Sequence, residues 1–506
     1  MTTSNTPAVR LTPATSANSS PAGGRALGWL AVAGIFAAIL IMIGADLVRG
    51  SWMPPTLAMP HPGPPWELTA HVSVKVVAVA LWLAALMATG GVVAGLVAAR
   101  RGLPLPVRTL VTGGLIAVAA LAVLPPVGST DTLDYAIYGQ IAALGHSPYV
   151  MTPAQYGLLV HLHHGVPLDW RNAPSVYGPL ATGEQLAAAK LSGTSLARTV
   201  FWLKLCNVIT FVAVAFAADR LLRADRASRL RAHVLWTANP LIIWSVIAAG
   251  HLDLLAAGVG LAGLLLIDRW TTGPPLPRAL AAGLCVGAAA DIKASFALFG
   301  LAIAWALRRK PGQLLVAAGG ALAVLVPSYL IAGNPALKAL TTRASTGFGY
   351  GFYGFFFHRL GISLSAAVPV AVCLMIPVAW LAFRGLPPGF GDRPAVRAAV
   401  ALSAAWLLVW PHQFAWYSVM LICVLVWYPA SRLDWIALAW LSMLTIADIP
   451  GLGTHSPIRL GPALRAIQTT NLIRLGPVVM LGALVAFVAL CITRRWHAAR
   501  VIPDHG

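Results

Sequence analysis

The chain has 506 residues, 58% of them hydrophobic and only 10% charged, with a mean hydropathy of +0.78. Soluble domains carry about a quarter charged residues, so a soluble multi-domain chain is excluded and one polytopic membrane domain is indicated. The formal charge of +20 does not point to nucleic acid, because the arginines gather between apolar runs, where they set topology and meet anionic head groups.

Residues 1–25 are rich in Ser, Thr, Pro and Ala and read as a disordered cytoplasmic tail. The apolar run 26–47 is too long, and starts too late, for a typical cleaved signal peptide; it reads as a signal anchor. A second span covers 73–99. Basic clusters then follow at Arg100, Arg101 and Arg108, and at Arg220, Arg223, Arg226, Arg229 and Arg231. Further clusters are Arg308, Arg309 and Lys310; Arg384, Arg393 and Arg397; and Arg494, Arg495 and Arg500. With all of them cytoplasmic, the span 109–127 runs outward and residues 128–196 form an extracytoplasmic loop.

Three apolar stretches decide the parity. Residues 234–267 would make one helix of about 51 Å, against a bilayer core of ~30 Å. They contain Asn239-Pro240 and the polar knot Gly250-His251-Leu252-Asp253. Residues 279–307 are interrupted by Asp291-Ile292-Lys293, and 398–428 by Pro411-His412-Gln413. Read as hairpins, all three return to the cytoplasm, and their tips face outward beside Asp131. The remaining spans are 314–332, 363–383, 435–447 and 475–493, and residues 496–506 form a second cytoplasmic tail. The expectation is an all-α integral membrane protein with about fourteen transmembrane or half-embedded helices and both ends inside. Residues 333–361 and 448–471 are its other outer loops. Neither an inverted repeat nor a fixed-period array is visible.

The polar chemistry concentrates at 128–149, GSTDTLDYAIYGQIAALGHSPY. Asp131 and Asp134 lie a helical turn apart among Tyr135, Tyr138 and Tyr149. One of the pair is a general base or hydroxyl clamp, or else Asp131 caps a helix begun by Ser129-Thr130. His251 and Asp253 either bind substrate hydroxyls or satisfy exposed backbone. Asp291 and Lys293 form a local ion pair, or Lys293 is free to meet a phosphate. His412, with Trp416 and Tyr417 after it, belongs to an interfacial belt or to the site. His161, His163 and His164 lack a nearby carboxylate or cysteine set, and the five cysteines show no CxxC spacing, so no metal is expected. Residues 176–179 read as a turn closing the outer loop. No nucleotide-type phosphate loop is present, which argues against ATP as the energy source.

In these blocks the sequence resembles the actinobacterial polyprenol-phosphate-mannose-dependent α-mannosyltransferases of the GT-C superfamily. The blocks are Ser129-Thr130-Asp131 with Tyr135, Gly139 and the GHSPY of 145–149; Tyr177-Gly178-Pro179; and Asn239-Pro240-Leu241 with Gly250-His251-Leu252-Asp253. Ala290-Asp291-Ile292-Lys293 and the late Trp410-Pro411 and Trp416-Tyr417 complete the order. Asp134 stands where many relatives have a small hydroxyl residue, and Leu133 where they have an aromatic. The resemblance implies a GT-C-like domain over residues 26–495. It further implies transfer of a hexose, with mannose first, from a polyprenyl-phosphate donor to an extracytoplasmic glycan or glycolipid, with no cofactor. Asp131 would activate the acceptor. Tyr135, Tyr138, Tyr149, Tyr177, His251, Asp253, His412 and Tyr417 would surround the substrates, and Lys293 would hold the leaving phosphate, with Arg343 and Arg359 as fallbacks. Two rival readings remain open: a transporter or flippase of lipid-linked sugars, and a non-catalytic envelope assembly partner.

Overall fold

The computed structural model describes residues 21–53, 63–160, 170–268, 273–342, 359–361, 363–387, 393–449 and 460–496. All regular structure among them is helical. Helices α1 (Pro21–Leu47) and α2 (Val74–Arg100) form the first hairpin. They approach closely because Gly34 faces Gly91: a Cβ on Gly91 would lie 2.8 Å from the Ile35 backbone nitrogen. Small residues at such crossings let apolar helices pack where lipid offers no hydrophobic drive. Helix α3 (Val107–Ala122) follows and ends before Pro125 and Pro126.

Three shorter helices come next, α4 (Asp131–Ala143), α5 (Pro153–Leu159) and α6 (Pro179–Ser192). Helix α4 packs on α6 where Gly139 has no side chain; a Cβ there would meet the Gln185 carbonyl at 2.3 Å. Helix α5 carries a full capping box between Thr152 and Gln155. Helix α7 (Leu196–Leu221) then returns through the bundle to α8 (Arg226–Leu235).

The three interrupted stretches are broken where their polar residues predict. A short α9 (Pro240–Ile242) continues into a π-helical turn, Ile243–Ala248, and then bends by 115° into α10 (Asp253–Ile267). Helix α11 (Leu276–Ile292) stops at Lys293, whose backbone is extended, before a 3-10 turn leads into α12 (Ala297–Leu307). After α13 (Pro311–Ala332), α14 (Asn334–Thr342) and α15 (Leu364–Gly385), α16 (Pro394–Val409) ends at Trp410. The 3-10 turn Ala415–Ser418 then starts α17 (Val419–Leu425). Helices α18 (Leu433–Asp448), α19 (Pro462–Thr470) and α20 (Gly476–Thr493) close the bundle.

Among the described residues, six helices are long and apolar enough to cross a bilayer, and a seventh span results if the bent pair 226–267 is one. Other apolar helices, such as α3 and α16, are shorter. The expected count of about fourteen therefore mixed full spans with half-length helices. Elsewhere in the bundle, Arg231 forks onto Asp434 at 2.5 and 2.8 Å, and Arg100 joins at 2.9 Å. Arg231 and Asp434 are both buried, so this pairing neutralises charges that would be costly alone.

Candidate active site

The chain enters the site through a sharp turn. Gly128 has φ +83°, and a Cβ there would touch the Trp244 ring at 3.1 Å, so glycine is the residue that fits. The Ser129 hydroxyl accepts the Asp131 N–H at 3.2 Å, and Asp131 becomes the first residue of α4. One residue on, the Thr132 hydroxyl donates to the carbonyls of Ala249 and Gly250, the latter at 3.0 Å. The Val127 N–H donates to the Ala248 carbonyl at 3.2 Å. The start of α4 is thereby sewn to the first helix break.

That stitching brings Asp131 to His251. The carboxylate lies 3.6 Å from His251 Nδ1, which is also 3.5 Å from the Tyr135 hydroxyl. The Tyr177 hydroxyl donates to that of Tyr135 at 3.2 Å, with the rings edge-on at 5.0 Å. Burial pushes the Tyr177 hydroxyl well above its ordinary range, and the nearby Asp131 carboxylate acts in the same direction. Tyr177 is therefore a neutral donor at working pH. The His251 ring stacks on Trp416 with 3.8 Å between centres, and Trp416 in turn stacks on Phe414 at 4.4 Å.

The second break supplies the cation. Lys293 Nζ lies 2.6 Å from the Asp253 carboxylate and 4.4 Å from the centre of the Tyr417 ring. The expected local pair with Asp291 is not formed. Asp291 instead accepts the Leu180 N–H at 2.7 Å and the Ser328 hydroxyl, tying the start of α6 to α11 and α13. Lys293 is thus paired, but with a carboxylate from a different break. His251 Nε2 and the second Asp253 oxygen have no hydrogen-bond partner among the described residues.

The expected residues separate into two groups. Asp131, Tyr135, Tyr177, His251, Asp253, Lys293 and Tyr417 come together, from α4, the segment before α6 and all three breaks. Asp134, one turn further on, is buried on the same short helix. His412 flanks the group through Phe414 at 4.6 Å and Tyr417 at 6.1 Å between ring centres. Tyr138 instead donates to the Ala173 carbonyl at 2.8 Å within a separate apolar cluster of Ile137, Ile141 and Tyr156. Tyr149 bonds Thr182 at 2.8 Å, bracing α6. Arg359 is exposed, and Arg343, like His161, His163 and His164, lies outside the described residues. Two contributors were not foreseen in these roles: Thr132 as a stitch and Trp416 as the stacking partner of His251. An aromatic next to a proline break was the available signal for Trp416.

The arrangement holds a carboxylate beside a histidine and two tyrosine hydroxyls, with an ammonium on a neighbouring break. That set can accept a proton from a hydroxyl and neutralise an anion. Residues 31–309, which contain Asp131, Tyr135, Tyr177, His251, Asp253 and Lys293, match the family model described as alpha-(1->6)-mannopyranosyltransferase, N-terminal domain. The chain belongs to this family.

Among alpha-(1->6)-mannopyranosyltransferases, the chain is 26% identical over 309 residues to alpha-(1->6)-mannopyranosyltransferase B of Corynebacterium glutamicum, covering 58% of this chain and 50% of that protein. It is 32% identical over 164 residues to a probable alpha-(1->6)-mannopyranosyltransferase of Mycolicibacterium smegmatis, covering 32% of this chain and 29% of that protein. The matches thus span half or less of these curated relatives. A crystal structure of ArnT from Cupriavidus metallidurans bound to undecaprenyl phosphate is similar over 77% of each chain, at 19% identity and a TM-score of 0.42. Tyr417 and Trp416, which complete the site, lie beyond the residues that the family model matches.

Proposed function

We propose that this protein is a membrane mannosyltransferase that moves mannose from a polyprenyl-phosphate donor to a glycan or glycolipid acceptor on the extracytoplasmic side. The family supports mannose as the sugar, and the relatives' names suggest an α-(1→6) linkage and hence a primary hydroxyl as the nucleophile. The observation that carries the reading is the convergence of Asp131 with His251 at 3.6 Å beside the Lys293–Asp253 pair.

In the reaction, the acceptor oxygen forms a bond to the anomeric carbon while the bond from that carbon to the phosphate oxygen breaks. The acceptor proton passes to Asp131, and the polyprenyl phosphate leaves with one more negative charge than it carried as donor. Asp131 works as general base, a role worth about 10²–10⁴-fold. His251, fixed by its stack on Trp416, orients the carboxylate or the acceptor hydroxyl. Tyr135 and Tyr177 present neutral hydroxyls to the sugar. Lys293 meets the charge that develops on the phosphate, and Asp253 keeps the ammonium in place until then. The many apolar helix faces supply the hydrocarbon surroundings that a polyprenyl chain requires.

A proteoliposome assay with polyprenyl-phosphate mannose and an α-mannoside oligosaccharide tests this against the rival readings. The proposal expects mannose on the acceptor and release of polyprenyl phosphate. Movement of the donor across the bilayer without transfer would favour a flippase, and neither outcome a non-catalytic role.

A further inference from the structure

Outside the site, one buried charged cluster has no part in the mechanism above. Lys204 lies within the apolar helix α7 and is fully buried, as are Asp46 near the end of α1 and Arg49 just beyond it. Ionic side chains inside an apolar bundle are costly and need a reason to be there. Their donors converge on one short piece of backbone. Lys204 Nζ donates to the Leu124 carbonyl at 2.8 Å and reaches that of Pro125 at 3.4 Å. Arg49 Nε donates to the Pro126 carbonyl at 2.7 Å.

This backbone is the exit from α3. The three carbonyls lie just past α3, whose C-cap is Val123, and Pro125 and Pro126 bring no N–H to build a hydrogen-bond ladder there. Cations are also favoured at a helix C-terminus. Asp46 is buried in the same cluster, and neither of its oxygens has a hydrogen-bond partner among the described residues. Five residues after Pro126 stands Asp131. The lysine stem also touches the other half of the site: a Cβ on Gly250, whose φ is +72°, would lie 3.3 Å from Lys204 Cγ and 2.5 Å from Thr132 Oγ1.

We propose that Lys204 is a positioning residue that holds the α3 exit and the Gly250 turn in register, so that Asp131 and His251 face each other. This rests on the functional reading above, since it gives Lys204 a role through Asp131 in the same reaction. Misplacement by about 1 Å of a reacting group costs roughly a hundredfold in rate.

The test compares the wild type with Lys204→Met, which keeps the stem but not the ammonium, and Lys204→Arg, which keeps the charge. Two readouts are taken on the full-length protein in nanodiscs. In hydrogen exchange, Lys204→Met should speed exchange about tenfold in peptides over 127–135 and 248–252 while other peptides stay as in the wild type, and Lys204→Arg should restore much of the protection. In transfer assays, kcat should fall by about ten- to a hundredfold with donor KM unchanged, again with partial rescue by arginine. Unchanged exchange in the two peptides overturns the proposal whatever the activity. Loosened peptides with normal kcat overturn it too, leaving Lys204 structural only. Exchange that rises throughout the molecule also counts against it, because Lys204 then holds the whole bundle. If the wild type transfers nothing, the functional reading fails, and the peptide contrast decides by itself whether Lys204 holds Asp131 in place.

Discussion

Lys293 is held by Asp253 at 2.6 Å, although Asp291 is its closest acidic neighbour in sequence. The two partners come from different helix breaks, so the pair joins the α10 and α11 arms as well as aiming a cation. Removing one member leaves the other charge uncompensated in a largely buried place. Lys293→Gln is expected to weaken donor binding and turnover together, and Lys293→Arg to keep part of both. Donor affinity measured on the purified variants checks this; an unchanged affinity in Lys293→Gln would move the phosphate site elsewhere.

Asp253→Asn should separate aiming from charge. The ammonium remains, but without its anchor, so turnover should fall by about tenfold while donor affinity stays within a few-fold of the wild type. A loss of affinity as large as that of Lys293→Gln would mean that Asp253 itself contacts the donor.

The stack of His251 on Trp416 predicts a graded series. Trp416→Phe keeps an aromatic face and should retain most activity. Trp416→Ala frees the imidazole and should lower kcat by about fivefold, the scale of an aromatic contact of about 1 kcal/mol. Equal activity in the two variants would remove His251 orientation from the account.

At Gly178, a Cβ would lie 1.5 Å from the Asp291 carbonyl oxygen, with backbone on both sides of the clash. Gly178→Ala should therefore displace the start of α6 and destabilise the protein by about 1–3 kcal/mol. Thermal unfolding in detergent reads this as a lowered midpoint, whereas Gly183→Ala, at an exposed position inside α6 where nothing lies within 4 Å, should not lower it and should raise it slightly.

The proposed orientation, drawn from the basic clusters, is open to labelling. Asn172 and Ala224 are both exposed, one between α5 and α6 and the other between α7 and α8. A cysteine at Asn172 should react with an impermeant maleimide in intact cells above the parental background, and one at Ala224 should not. The reverse pattern would put the site on the cytoplasmic side.

Much of this architecture was legible in the residues. Pro240, Gly250, Lys293 and Pro411 interrupt apolar runs with groups a continuous span cannot accommodate, and each marks a real break. Ser129-Thr130-Asp131 did mark the start of a short helix, but Thr130 takes the N-cap position without a side-chain cap bond, and Asp131 is the first helical residue and not the cap. The partnership of Lys293 could not be read, because Asp291 is nearer in sequence and its capture by Leu180 and Ser328 is purely tertiary. The tyrosines were too many to sort, and only packing sends Tyr138 and Tyr149 to structural bonds. Lys204 and Asp46 did carry a signal, since a charge inside an apolar span asks for an explanation.

The central claim is that Asp131 takes the acceptor proton. The most direct measurement is single-turnover transfer by Asp131→Asn in proteoliposomes loaded with polyprenyl-phosphate mannose, with donor binding measured on the same preparation. Loss of the base at preserved shape should slow transfer by at least about a hundredfold while donor binding stays near the wild-type value. Asp134→Asn should cost less. Transfer at the wild-type rate by Asp131→Asn would contradict the account and leave Asp131 as part of the helix start alone.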